Sequence, residues 1–168
     1  MSKTTSKAEV SKKGRPSAQA KQEQEQAVTE SVSKVYTEVY RNCKLGMENI
    51  KAAKPQVQDQ SLLDLFNQQY KGYETLAKEV ELKATVEDKQ LESLGIFSKA
   101  RLWGEAFFTA LKDKSSSNFA ELMIQGINSG IINLTRLQNQ EKGQAANEML
   151  IRLMDQFQNN FTTLKTFL

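Results

Sequence analysis

The sequence predicts an all-helical protein in which four long amphipathic helices form one bundle. Only two prolines, Pro16 and Pro55, interrupt its 168 residues. Residues that favour helices, such as Leu, Gln, Lys, Glu and Ala, are abundant. Apolar residues also recur at steps of three and four along four separate stretches, as they do on one face of a helix. A domain of about this size buries roughly two thirds of its unfolded surface, so its core needs neither a disulfide nor a metal.

Residues 1–26 are predicted to be a disordered basic tail, and residues 27–168 the helical domain. The tail carries six Lys or Arg against three Glu, which gives +3, while the remaining 17 basic and 17 acidic residues cancel. Met1 and Val10 are its large apolar residues, too few to offset the entropy of ordering the segment. We expect disorder to about Gln22, with residues 22–26 able to fray into the first helix.

The first two helices are predicted to be joined by a short turn. The first spans Ala27–Ala53 and ends before Pro55, because a residue that precedes proline is pushed out of the helical region. The second runs from about Ser61 to about Glu87, with Asp59 or Ser61 as its N-cap. The predicted apolar stripes are Val28, Val32, Val35, Val39, Cys43, Gly46 and Ile50, followed by Leu62, Phe66, Tyr70, Tyr73, Ala77, Val80 and Ala84.

A long connection containing a shorter helix is predicted between the second and third long helices. Residues 88–95 lead into this helix over Ile96–Lys112. The third and fourth long helices follow over Asn118–Gln140 and Gln144–Thr166, with Gly143 as the stop between them. Their stripes are Phe119, Met123, Gly126, Gly130, Leu134 and Leu137, then Ala146, Leu150, Leu153, Phe157, Phe161, Leu164 and Leu168.

Two segments, together with this helix order, make the chain resemble a known superfamily. They are Val39–Glu48 on the first helix and Ala120–Gly126 on the third. Over about residues 30–168 the chain resembles the ferritin-like superfamily, and more narrowly uncharacterised ferritin-like helical proteins of Gram-positive bacteria. The resemblance implies an all-α four-helix bundle with ferritin-like topology, in which one long crossover joins two antiparallel pairs.

The ligands of a di-metal site are missing from this sequence. Ferritin-like oxidases and iron stores use a Glu on each of two helices and a Glu-x-x-His on each of the other two. The chain has no histidine. At 100° per residue, Glu121 and Glu148 point away from the stripes of their helices, and Glu38 and Glu74 fall on the flanks of theirs. We therefore expect no metal, no cofactor and no catalytic residue.

Two further features are interpreted as packing. Cys43 lies within the stripe of the first helix and has no histidine to activate it, so we expect a buried core residue in a reducing compartment. Gly126–Gly130 is a G-x-x-x-G pattern inside a helical stretch, which does not fit a phosphate loop. We expect it to admit a partner helix or a large side chain such as Trp103 or Phe107.

Four amides near the apolar stripes leave two interpretations open. They are Asn42, Gln69, Asn133 and Asn147. Buried amides must find hydrogen-bond partners, so they pair across the core and fix the helix register, or they hold a small polar ligand between the helices.

The crossover and the tail supply the candidate partner sites. Trp103, Phe107 and Phe108 concentrate aromatic surface, which either covers the bundle or, if exposed, binds a protein partner or a second copy. In the tail, Lys12-Lys13-Gly14-Arg15-Pro16 resembles the Gly-Arg-Pro core of an AT-hook, whose arginine enters the minor groove of DNA. A solvated tail without a partner is the alternative.

The sequence thus predicts a non-catalytic ferritin-like bundle that serves as a protein–protein interaction or structural module. It shows no apolar run near 18 residues and no secretory signal, which indicates a cytoplasmic protein without membrane contact. One alternative is association with nucleic acid through the tail alone. The other is a degenerate ferritin-like metal-binding or oxidase protein.

Overall fold

A computed structural model describes residues 18–91, 104, 108–140 and 144–168, with the backbone alone for 144–146. Over these ranges the chain is helical and contains no strand, so the predicted all-helical class is confirmed. The four long helices are α1 (Ala18–Ala53), α2 (Gln60–Val86), α3 (Ser116–Gln140) and α4 (Gln144–Leu164). Single 3-10 turns follow α1 at Lys54–Gln56 and α4 at Lys165–Phe167.

The helix α1 begins earlier than the apolar periodicity predicted, at Ala18 instead of Ala27. Every side chain from Ala18 to Glu30 is exposed, including Val28, which was placed on the buried stripe and is 51% exposed. The disorder expected to about Gln22 therefore gives way to helix from Ala18 onward. The physical reason is that this Gln-, Glu- and Ala-rich stretch favours a helix, which continues the backbone hydrogen bonds of the buried part of α1.

The turn after α1 follows the predicted chemistry. Pro55 lies in the 3-10 turn, and Asp59 is the N-cap of α2. Its Oδ1 accepts from the backbone N–H groups of Ser61 and Leu62, at 2.8 and 3.2 Å. Its Oδ2 accepts from the Ser116 hydroxyl at 2.9 Å. Asp59 therefore ties the first turn of α3 to the first turn of α2.

Two helix pairs are antiparallel, as their side-chain contacts show. Between α1 and α2, the Tyr36 hydroxyl donates to Glu87 at 2.9 Å, and Lys54 Nζ lies 2.5 Å from Asn67 Oδ1. Residue numbers therefore rise along α1 as they fall along α2. Between α2 and α4, Lys83 pairs with Glu148 at 3.3 Å and Asn160 Nδ2 donates to Tyr73 at 2.9 Å, which gives the same reversal.

The connection between α2 and α3 joins opposite ends of the molecule. The chain leaves α2 beside Tyr36 and enters α3 beside Asp59. Of the helix predicted over Ile96–Lys112, residue 104 and residues 108–110 are helical, and the chain has left the helix by Leu111. Residues 92–103 and 105–107 lie outside the described ranges, so this part of the predicted helix stays a prediction.

One hydrophobic core is shared by all four helices. The largest of its fully buried side chains include Tyr36, Phe66, Phe119, Leu150, Leu153 and Leu164. The predicted stripes account for most of this core. Three stripe positions, Val28, Gly126 and Leu168, are exposed and lie outside it. Within the described ranges, none of the helices has the length and apolar character needed to cross a membrane.

We predict that Asp59 makes the fold sensitive to acid. The Ser116 hydroxyl, followed by the backbone amides of α2, lowers the pKa of this carboxyl below its usual 3.8. The folded state therefore stabilises the ionised form of this carboxyl group more than the unfolded state does. Its stabilising effect is complete above the usual pKa and is lost as the pH falls through the lowered one.

Thermal unfolding of the wild type and of Asp59→Asn between about pH 5 and pH 2 measures this effect. We expect the difference in Tm between the two proteins to shrink as the pH falls below 3.8. Asp155→Asn, a change on the exposed face of α4, serves as the control. A difference between wild type and Asp59→Asn that stays constant over this range would contradict the role given to Asp59.

Candidate functional site

The four helices meet in one layer built from two aromatic rings and two glycines. Tyr73 of α2 and Phe157 of α4 pack edge to face, with centroids 6.0 Å apart and planes at 77°. Behind Tyr73 lies Gly46 of α1, where a Cβ would come within 2.7 Å of the ring. Behind Phe157 lies Gly130 of α3, where a Cβ would overlap the ring. Both glycines are therefore required by close approach of an aromatic ring to a helix backbone.

The hydroxyl of Tyr73 is buried and satisfied. It accepts from Asn160 Nδ2 at 2.9 Å, and both residues are less than 10% exposed. Burial raises the pKa of Tyr73 well above its usual value, so this phenol stays neutral and takes no part in acid–base chemistry. Sequence reasoning missed Asn160, although its position three residues after Phe157 placed it on the buried face of α4.

The two glycines of the predicted G-x-x-x-G pattern have different surroundings. Gly130 admits a large side chain, as predicted, but in the described structure that side chain is Phe157, which had not been considered. Gly126 is exposed, and no described heavy atom lies within 4 Å of the position a Cβ would take. The pattern therefore combines one packing glycine with one that leaves open space.

A groove of about 690 Å³ opens between α1 and α3 beside this layer. Tyr73 and Phe157 are among the apolar residues that line it, and Asn49, Gln125 and Asn133 are among the polar ones. Gly126 also lines the groove, so α3 presents a stretch of bare backbone to it. The groove offers apolar contact and amide hydrogen bonding, and its described lining contains no ionisable side chain other than the buried phenol of Tyr73.

The aromatic and basic residues predicted as partner sites are only partly described. Phe108 is 5% exposed and stacks on Phe119, with centroids 6.0 Å apart, so it covers the core and is not an exposed aromatic patch. The remaining predicted partner residues lie outside the described ranges: Trp103, Phe107, Lys12, Lys13, Gly14, Arg15 and Pro16.

Cys43 is a core residue, as predicted. Its side chain is fully buried, and burial raises the pKa of the thiol to about 12, against a small opposing effect of Lys44. A nucleophilic cysteine needs the thiolate and a neighbouring base or cation that stabilises it. At neutral pH Cys43 is a neutral thiol that packs against its neighbours.

The carboxylates weighed as metal ligands lie at the surface. Three form ion pairs, namely Glu38–Arg41, Glu74–Lys78 and Glu148–Lys83, at 3.3 to 3.4 Å, and Glu121 accepts from Gln125. Within the described ranges, no three His, Cys, Asp or Glu residues are grouped so as to hold a metal ion. The structure therefore places no assembled ligand set in the core that it describes.

Two tyrosines of α1 bond to glutamates near the end of α2, one of them the C-cap residue Glu87, and sequence reasoning missed both bonds. The hydroxyl of Tyr36 donates to Glu87 at 2.9 Å, and that of Tyr40 donates to Glu81. Burial, with the neighbouring carboxylate, raises the pKa of each phenol to about 12. These bonds fix the register of α1 against α2, but the residues involved are more than 40 positions apart, and helical spacing gives no signal for such pairs.

Among the described residues, none of the four amides pairs across the core. Asn42 Nδ2 donates to the backbone carbonyl of Glu38 in its own helix at 2.8 Å, and Asn133 is exposed. Neither Gln69 nor the buried oxygen of Asn147 has a hydrogen-bond partner among the described residues. Of the two interpretations left open, pairing across the core is therefore not seen for these four among the described residues, and Asn160 supplies the amide that bonds across the core.

Gln69 stands out as a buried amide without a partner among the described residues. It is 3% exposed, and both its Oε1 and its Nε2 lack a hydrogen bond. Leaving such a group unsatisfied costs about 1–3 kcal/mol. Gln69 lines a second groove, of about 570 Å³, between α2 and α4.

The charges around this second groove are few and balanced. Arg152 makes a two-pronged ion pair with Glu79, one contact at 3.1 Å, and this pairing lowers the pKa of the Glu79 carboxyl. Lys71 and Asp155 are exposed and of opposite sign. Apart from these exposed charges, the groove offers mainly amide and hydroxyl groups.

Comparison of the chain with protein-family models, with curated proteins and with solved structures found no match. The class of the protein is therefore defined by its own geometry, which over the described ranges is all-helical with one core and two open interhelical grooves. Its particular role has to be argued from those grooves and from the side chains around them.

We predict opposite effects of alanine at the two glycines of α3. Gly126→Ala places a Cβ in open space and reduces the entropy of the unfolded chain, so it should stabilise the protein by about 0.5–1 kcal/mol. Gly130→Ala forces Phe157 to move and should destabilise it by about 1–3 kcal/mol. Urea unfolding followed by circular dichroism compares the two variants with the wild type. Equal changes at both positions would show that Phe157 does not pack on Gly130.

We also predict that the thiol of Cys43 is unreactive in the folded protein. Raising its pKa from 9.0 to about 12 lowers the thiolate fraction roughly a thousandfold near pH 8, and burial blocks access as well. A disulfide reagent that releases a coloured thiol should detect no thiol in the native protein and one per chain in denaturant. Labelling of the native protein at the rate of the denatured chain would contradict the burial of Cys43.

Proposed function

We propose that this chain is a non-catalytic four-helix bundle with ferritin-like topology that acts as a protein–protein interaction or structural module in the bacterial cytoplasm. The helix directions support this topology. Because α1 runs antiparallel to α2 and α2 runs antiparallel to α4, a connection that returns along the molecule from the end of α2 to the start of α3 gives two antiparallel pairs and one crossover.

One observation carries the proposal that the protein is non-catalytic: the described side chains weighed as a nucleophile or as metal ligands are buried in the core or paired at the surface. The thiol of Cys43 is buried with a raised pKa, and the carboxylates weighed as ligands lie at the surface. The sequence has no histidine to serve as a base. Catalysis needs a nucleophile paired with a base, or a ligand set, within a pocket, and the described lining of neither groove contains a hydrogen-bonded nucleophile–base pair.

The groove between α1 and α3 is the binding face in this proposal. Its apolar lining, its amides and the bare backbone at Gly126 suit an extended or helical segment of another protein chain, which needs close approach, apolar contact and a few hydrogen bonds. Because the described residues that line this groove carry no charge, the groove suits a protein segment better than a phosphate-bearing partner.

Native mass spectrometry with elemental analysis of the full-length protein tests this function. We expect no stoichiometric metal and a complex with a second copy of the chain, which is the first partner to test. Gly126→Arg fills the groove without touching the core and should abolish the complex, whereas Gly126→Ala should leave it intact. Stoichiometric iron or manganese would overturn the non-catalytic assignment. A complex that survives Gly126→Arg would overturn the assignment of the binding face.

A further inference from the structure

Gln69 is buried in α2 without the partners that an amide requires. It lies between Phe66 and Tyr73 on the buried face of the helix. A glutamine amide offers one carbonyl acceptor and two N–H donors, and in folded proteins such buried groups are almost always paired. Both polar atoms of Gln69 lack a partner among the described residues. Each of these atoms exposes less than 1 Å² of surface, so a molecule in the neighbouring groove meets this unused donor and acceptor only when the side chains over them move aside.

The groove between α2 and α4 gives such a molecule a place. Its volume is about 570 Å³, which lies in the range of small-molecule sites and far exceeds the roughly 30 Å³ of one water. Gln69 lines it together with the apolar side chains of Leu65 and Leu76. The two leucines are 9% and 3% exposed, so a flat ring that enters beside the amide would lie against the edge of the core.

The electrostatics of the groove select for a neutral occupant. Its cation Arg152 is held by Glu79, and the exposed Lys71 and Asp155 oppose each other in sign. Most of the other groups that line the groove are uncharged amides and hydroxyls. Among the described lining residues, a carboxylate or phosphate would find no buried cation, and an ammonium group would find no buried anion.

One flexible side chain lies across this groove, on the side of α2 that carries the buried amide of Gln69. Gln156 of α4 reaches across to α2, where its Nε2 lies 2.5 Å from the position that a Cβ on Gly72 would occupy. Because Gly72 has no side chain, Gln156 can lie against the backbone of α2. It is a long side chain that is only half-buried, so rotation about its own bonds uncovers the side of α2 that carries Gln69 and Gly72 without moving a helix.

We propose that this groove binds a small, neutral, planar molecule whose edge carries a hydrogen-bond donor beside an acceptor, as the imide edge of a pyrimidine base does. Gln69 is the anchor and forms two parallel hydrogen bonds with that edge, the geometry by which a side-chain amide recognises a base. Leu65 and Leu76 contact the ring face. The site lies between a different pair of helices from the proposed protein-binding face, so either proposal can fail alone.

Uracil is the probe, and 1,3-dimethyluracil is the matched control, because methylation removes both N–H donors and keeps the ring. Calorimetric titration and thermal unfolding of the full-length protein should show binding of uracil and at least roughly tenfold weaker binding of the control, since the control cannot donate to the Gln69 carbonyl. Gln69→Met keeps the volume and removes the amide, so this variant should fold and lose the response to uracil. Gln140→Met, an exposed change at the end of α3, should bind uracil as the wild type does.

A second readout does not depend on any variant. In the wild-type protein, uracil should shift the NMR resonances of the Gln69 side-chain NH₂ group. The proposal is overturned if uracil leaves these resonances and the Tm unchanged, which would mean that ordered water satisfies Gln69. Equal binding of the two pyrimidines, or uracil binding by Gln69→Met at wild-type strength, would also overturn it.

Discussion

The fold depends on the contact between Tyr73 and Phe157, because this pair of rings packs between the backbones of the two other helices. The rings are on α2 and α4, and Gly46 and Gly130 place α1 and α3 directly behind them. Any side chain at either glycine would separate two helices at this layer, since packed interiors leave no room for a displaced ring. One groove is lined by these rings, and the other runs past Asn160, which bonds to Tyr73.

Hydrophobic periodicity was sufficient to predict the helices, since it reports which face of each helix is buried. Together with Pro55 and Gly143, the predicted helix stops, it placed the end of α1 at Ala53 and the limits of α3 and α4 to within two residues. It failed at Ala18, because an exposed stretch of helix has no buried face to generate a stripe. It also could not separate Gly126 from Gly130. Both glycines fall on the same stripe, and only the position of Phe157 on another helix distinguishes them.

The site was less predictable than the fold, since its geometry arises from residues distant in sequence. The burial of Cys43 could be predicted, because its helical spacing alone placed it on the apolar stripe of α1. The partner of an amide does not follow from spacing. Asn42 bonds within its own helix and Gln69 bonds to nothing described, although the sequence presented them alike. The two interpretations left open for these amides therefore separate residue by residue, with Gln69 fitting the ligand interpretation.

The first part of α1 continues the helix beyond the core. Between Ala18 and Glu30 no side chain belongs to the core, and at 1.5 Å per residue this stretch extends for about 20 Å. Because this stretch has no core contacts, we expect its backbone amides to exchange with solvent faster than those from Val35 onward, which exchange when the core opens. This stretch can therefore unwind from its exposed end without disturbing the buried contacts that begin at Val32.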